Sequence, residues 1–73
     1  VPKDISRQLG NRIRMLRSKH GLTQDELAHR AGISAKYLQN LEGKTPKRAS
    51  IDTLQGLADG FGMPLWRLLK FEE

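Results

Sequence analysis

Leu22-Thr23-Gln24-Asp25-Glu26-Leu27-Ala28, followed by Ala31-Gly32-Ile33-Ser34 and then by Tyr37-Leu38 and Leu41-Glu42-Gly43, carries two helix starts and two helix stops in close succession. Thr23 and Glu26 have the spacing of a capping box, and Leu22 and Leu27 that of a hydrophobic staple, so a helix is predicted to begin at Gln24. It buries Leu27, Ala28 and Ala31 and ends at Gly32, a residue able to take the left-handed conformation of a tight turn. Ser34 caps the next helix, Ile33 staples to Leu38, Leu38 and Leu41 supply the buried face, and Gly43 stops it. So short a connection forces a large angle between the two helices and projects the second outward, a geometry suited to entering a DNA groove.

The same signals recur on either side. Upstream, Ile5, Leu9, Ile13 and Leu16 recur at helical spacing, Asp4 is a candidate cap, and Gly21 follows Lys19 and His20, which predicts a helix over residues 5–19. Downstream, Lys44-Thr45-Pro46-Lys47-Arg48-Ala49 contains a proline, three cations and no acid, and reads as an exposed basic loop. Ser50 caps a fourth helix with an apolar stripe of Ile51, Leu54, Leu57, Ala58 and Phe61, weakened at Gly60 and ended by Gly62. A short fifth helix is expected from about Pro64 to Leu69, with a fraying Phe71-Glu72-Glu73 tail. β-Branched residues are scattered and no stretch alternates apolar with polar. The expected class is all-α, five helices in one domain over residues 1–73, with no repeat or linker.

A chain of 73 residues has little margin between apolar burial and conformational entropy, and with no cysteine it has neither disulfides nor thiolate metal sites to help. No apolar run approaches the roughly 20 residues needed to span a bilayer, and Val1-Pro2-Lys3-Asp4 opens without an export signal, so a soluble cytoplasmic protein is expected. The net charge of +5 and the isoelectric point near 10.1 favour a polyanionic partner, with a merely solvated basic surface as the alternative. His20 and His29 share no ligand spacing and no carboxylate cluster joins them, so no metal is implied. Thr23, Ser34 and Ser50 are each explained as caps without a partnered base, so the chain is not expected to be an enzyme. A membrane-surface peptide is disfavoured because no helix sets a cationic face against a bulky exposed apolar one.

As a combined pattern, the stretch quoted above, with Arg12-Ile13-Arg14, Leu16-Arg17, Ile51-Asp52-Thr53-Leu54 and Leu57-Ala58, resembles the Cro and phage-repressor (Xre-like) helix-turn-helix family over almost the whole chain. Two departures stand out. The residue commonly found between the acid and the glycine is missing at Glu42-Gly43, with a longer basic loop afterwards, and Pro64 stands where a capping serine is common.

The resemblance implies a lambda-repressor-like fold and sequence-specific binding of double-stranded DNA by a transcriptional regulator, a repressor by preference. The helix-turn-helix unit would cover about 23–42, with residues 35–41 in the major groove. It places Ala35, Lys36, Gln39 and Asn40 near base edges, with Gln24, which also matches a glutamine that touches the DNA backbone and often a base-contacting neighbour, and it places Thr23, Ser34 and Tyr37 near phosphates. The residue types suit this: Lys36 can donate to guanine, Asn40 or Gln39 can pair with adenine, and the Ala35 methyl can pack on a thymine methyl. Arg12, Arg14, Lys44, Lys47 and Arg48 are phosphate candidates. Arg17 and Glu42 match a partly buried ion pair that ties the first helix to the end of the third.

Leu65 and Trp66 are the candidates for a dimer contact, in a homodimer on a palindromic operator. No cofactor or small-molecule ligand is implied, and the setting would be a bacterial or phage-like cytoplasm, at the nucleoid. The rival reading is a protein-binding adaptor or antitoxin on the same fold.

Overall fold

The computed structural model describes residues 5–43 and 49–71. Among them the backbone forms α1 (Ile5–Lys19), α2 (Gln24–Ala31), α3 (Ala35–Glu42), α4 (Ile51–Phe61) and α5 (Leu65–Leu68), and no strand. The proposed Asp4 cap, the loop cations Lys44, Lys47 and Arg48, and Glu72 and Glu73 lie outside the described residues.

Local hydrogen bonds set the helix boundaries. Thr23 Oγ1 accepts from the Glu26 amide at 3.0 Å while Glu26 Oε1 accepts from the Thr23 amide at 2.8 Å, a complete capping box at the start of α2. Ser34 Oγ accepts from the Tyr37 amide and Ser50 Oγ from the Thr53 amide, so α3 and α4 each begin with an otherwise orphaned donor satisfied. Pro64 precedes α5 without a side-chain cap, and that helix is only four residues long.

Between α2 and α3 the chain turns at Gly32, whose φ of 75° lies in the left-handed region and lets Ile33 donate to the Ala28 carbonyl at 3.0 Å. A side chain at Gly32 would meet open space, so its cost would come from the backbone alone. Gly32→Ala is expected to lower stability by about 1–2 kcal/mol, read from the midpoint of chemical denaturation. An unchanged midpoint would mean the turn relaxes into another conformation.

The core gathers Leu9, Ile13 and Leu16 from α1, Leu27 and Ala28 from α2, Leu38 and Leu41 from α3, Leu57, Ala58 and Phe61 from α4, and Leu68 from α5. α1 lies against α3, α2 bridges α3 and α4, and α5 packs on α4. Two crossings are close enough to require glycine. A Cβ on Gly10 would stand 2.3 Å from the Leu41 carbonyl oxygen, and one on Gly56 would stand 2.4 Å from that of Ala31.

Three expectations are corrected. Ile5 and Ile51, read as core, are 58% and 66% exposed, because each opens its helix one turn before the residues that reach the interior. Phe71, assigned to a fraying tail, instead packs half-buried against the core.

Candidate nucleic-acid interface

α3 is held from behind. Leu38 and Leu41 are buried to 0% and 1% exposure, which fixes the inner face of the helix and leaves Lys36 and Gln39 exposed on the other. Ala35 and Asn40 are half-buried at its flanks, and Tyr37 is half-buried against the core. Ser34 and Thr23 stand exposed at the two helix starts, where each hydroxyl oxygen accepts an amide hydrogen and keeps its own proton to donate.

The end of α3 is joined to α1 and α2 through Glu42, whose side chain is 4% exposed. Arg17 donates from Nε to Glu42 Oε2 and from Nη2 to Oε1, both at 3.0 Å, and from Nη1 to the Leu22 carbonyl at 3.2 Å. This fork spreads one guanidinium over a buried carboxylate and a loop carbonyl. Gln24 Nε2 also donates to Glu42 Oε1, at 3.2 Å. Arg14 donates to the Glu42 carbonyl and to Asn11 Oδ1, while about half of its side chain stays exposed. Among the described residues no buried side-chain nitrogen or oxygen lacks a partner.

Arg12 departs from the sequence reading, which made it a phosphate cation. It is 4% exposed, donating from Nε to the Leu68 carbonyl at 3.2 Å and from Nη2 to the Arg67 carbonyl at 2.8 Å. Carbonyls at a helix end keep acceptor capacity that the helix does not use, and Arg12 fills it at the end of α5, where the Arg67 carbonyl also receives the Lys70 amide at 3.2 Å. The signal was present in the sequence, because Arg12 lies three residues after Leu9 and four before Leu16, on the buried stripe.

A family model described as "Helix-turn-helix domain" matches residues 8–68. The chain belongs to the helix-turn-helix family. It is 41% identical over 64 residues to the HTH-type transcriptional regulator DdrOP3 of Deinococcus deserti, a match covering 86% of this chain and 48% of that protein. The chain thus spans about half the length of that relative. A second relative, the uncharacterized HTH-type transcriptional regulator y4dJ of Sinorhizobium fredii, is 35% identical over 60 residues, covering 82% of this chain and 77% of that one. The crystal structure of the clp gene regulator ClgR from C. glutamicum superposes with a TM-score of 0.83 at 27% identity, covering 96% of this chain and 90% of that one.

In this helix-turn-helix domain α2 and α3 are the paired helices, and apolar side chains are exposed at α5 and at the start of α4. Trp66 is 67% exposed while Leu65 is half-buried against the core, so of the two dimer candidates Trp66 has the more open side chain. Ile51, which opens α4, and Leu69, which caps the end of α5, are also exposed. An apolar cavity of about 550 Å³ lies between Ile5, Leu9, Ala49, Leu54, Leu69 and Phe71. Among the described residues no cluster of His, Asp and Glu could hold a metal ion, and no helix is long and apolar enough to cross a membrane.

Proposed function

We propose that residues 1–73 act as a single domain that binds a specific double-stranded DNA operator and regulates transcription, as a repressor in the simplest case. The observation that carries this reading is α3 itself: eight residues fixed by Leu38 and Leu41 on one side, displaying Lys36 and Gln39 on the other, joined to α2 by a tight turn. The net charge of +5 supplies the long-range attraction to a polyanion.

In the complex, α3 enters the major groove, where Ala35, Lys36, Gln39 and Asn40, with Gln24 from α2, meet base edges. Thr23, Ser34, Tyr37, Arg14, Lys44, Lys47 and Arg48 meet phosphates. Two copies pair through the face that carries Trp66 and Leu65, on a palindromic operator with half-sites about 34 Å apart. The domain works in the cytoplasm, uses no cofactor or small-molecule ligand, and performs no catalysis. Lys36 on the open face of α3 favours DNA over the adaptor or antitoxin reading, since a base edge matches its donors.

Lys36→Ala tests the assignment. The variant is expected to keep its fold and its affinity for random duplex while losing about 1–3 kcal/mol of discrimination at one or two base pairs, measured on operators substituted one pair at a time. Unaltered preference at every position would remove Lys36 from the readers and favour a protein partner.

A further inference from the structure

α5 cannot sustain itself. It has four residues, far below the roughly 12–15 at which an isolated helix becomes even marginal in water, and Pro64 leaves its start without a side-chain cap. Yet it carries exposed Trp66 and, three residues on and therefore on the same side of the turn, exposed Leu69. Leu68 roots the turn in the core, and Arg12 holds its last carbonyls, with Nη2 on Arg67 at 2.8 Å and Nε on Leu68 at 3.2 Å. A guanidinium presents these donors in a rigid planar fork, so it sets the direction of two successive carbonyls as well as their position. Arg14 and Arg17, from the same helix as Arg12, bond the end of α3 at Glu42. One helix thus fastens both α3 and the turn that displays Trp66.

We propose that Arg12 is a positioning residue for pairing: by fixing α5 on α1 it sets the direction in which Trp66 and Leu69 meet a second copy of the chain, and with it the spacing between the two copies of α3. The proposal rests on the reading of paired copies on an operator and names what orients the pairing face. Two half-sites stand at one distance and one rotation, so two copies engage both only when their contact face has a defined attitude to α3. A turn free to shift on α1 keeps its apolar side chains but spreads the copies over many arrangements, and the gain from joint engagement is lost where the geometry forbids it.

Arg12→Met keeps a long apolar stem and removes the fork without leaving a buried charge behind. Arg12→Lys keeps the charge but offers one nitrogen in place of the two that donate here. Trp66→Ala removes the contact itself. The wild type and the three variants are titrated on a palindromic duplex selected by the wild type, on the same duplex with a single half-site, and on palindromes with half-sites one base pair closer or farther apart. Thermal melts establish which variants are folded at the assay temperature. The preference for palindrome over single half-site should fall about a hundredfold in Arg12→Met and in Trp66→Ala. Arg12→Met should also lose the wild-type preference for one spacing, and Arg12→Lys should fall between it and the wild type. Should Arg12→Met be unfolded under assay, Arg12→Lys carries the same comparison. By NMR of the free proteins, the Leu69 and Lys70 amides, which donate to the Leu65 and Arg67 carbonyls, should exchange faster in Arg12→Met and Arg12→Lys than in the wild type.

Unchanged preference for the palindrome and for its spacing in the folded Arg12 variants would overturn the proposal. Equal weakening of palindrome and single half-site would also overturn it, by making Arg12 a support of the fold as a whole. If Trp66→Ala prefers the palindrome as the wild type does, or if the wild type selects no palindrome, the reading of paired copies on an operator fails and the pairing role of Arg12 with it, while amide exchange still decides whether Arg12 holds α5.

Discussion

Replacing Arg17 with methionine is expected to destabilise the domain by about 3 kcal/mol or more. The substitution removes three hydrogen bonds, two of them to a carboxylate with 4% of its side chain exposed. Gln24 Nε2 and the half-exposed Arg14, whose Nε lies 4.0 Å from Glu42 Oε1, would remain as partial compensation, which sets the expectation at the lower end of the range for a broken buried pair. A chain of this length has a total stability of only about 4–11 kcal/mol, so the variant would sit near the edge of folding. Urea denaturation followed by circular dichroism measures the loss. Adding Glu42→Leu to Arg17→Met should recover most of it, because the cost lies in the uncompensated charge and not in the missing pair. A loss below 1 kcal/mol in the single variant would mean that solvent screens the pair as it does surface ion pairs.

Gly10→Ala should also destabilise, by about 2–3 kcal/mol, against the usual trend for a helix. A glycine inside a helix ordinarily costs about 0.5–1 kcal/mol relative to alanine, so propensity alone predicts a gain. At Gly10 the added methyl would stand 2.3 Å from the Leu41 carbonyl oxygen, a backbone atom that cannot rotate aside. Either α1 or the end of α3 has to move, and Leu9, Ile13, Leu38 and Leu41 lose packing with it. For a domain of this size the loss corresponds to a fall of roughly 10–20 °C in melting temperature. An alanine variant that melts at or above the wild-type temperature would show that the helices do not cross this closely in solution.

The helix plan was legible because its signals are local. Thr23 with Glu26, Ser34, Ser50, Gly32 and Gly62 act on backbone groups within a few residues of themselves, and a sequence displays such spacings directly. What stayed hidden depends on pairs distant along the chain. The helical period sets Arg12 on the buried stripe of α1, but the Arg67 and Leu68 carbonyls that receive its hydrogen bonds lie more than 50 residues later and have no local signature. The same holds for Gly10 beneath Leu41 and Gly56 beneath Ala31, where glycine reads as a weak helix residue until the opposing carbonyl is known. Ile5 and Ile51 satisfied the helical period, but the period does not say where the covering partner ends. At the interface, the outward placement of Lys36 and Gln39 followed from the inward Leu38 and Leu41. The hydrogen bond from Gln24 to Glu42 spans two elements and has no local signature.

Selection of bound duplexes from a random pool, followed by titration of the enriched duplex at two salt concentrations, tests the central claim most directly. The domain should enrich a palindrome with half-sites about one helical turn apart, bind it as two copies, and lose affinity steeply as salt rises. A pool that stays random after repeated rounds, with weak binding indifferent to salt, would contradict DNA recognition and leave the exposed face of α3 to a protein partner.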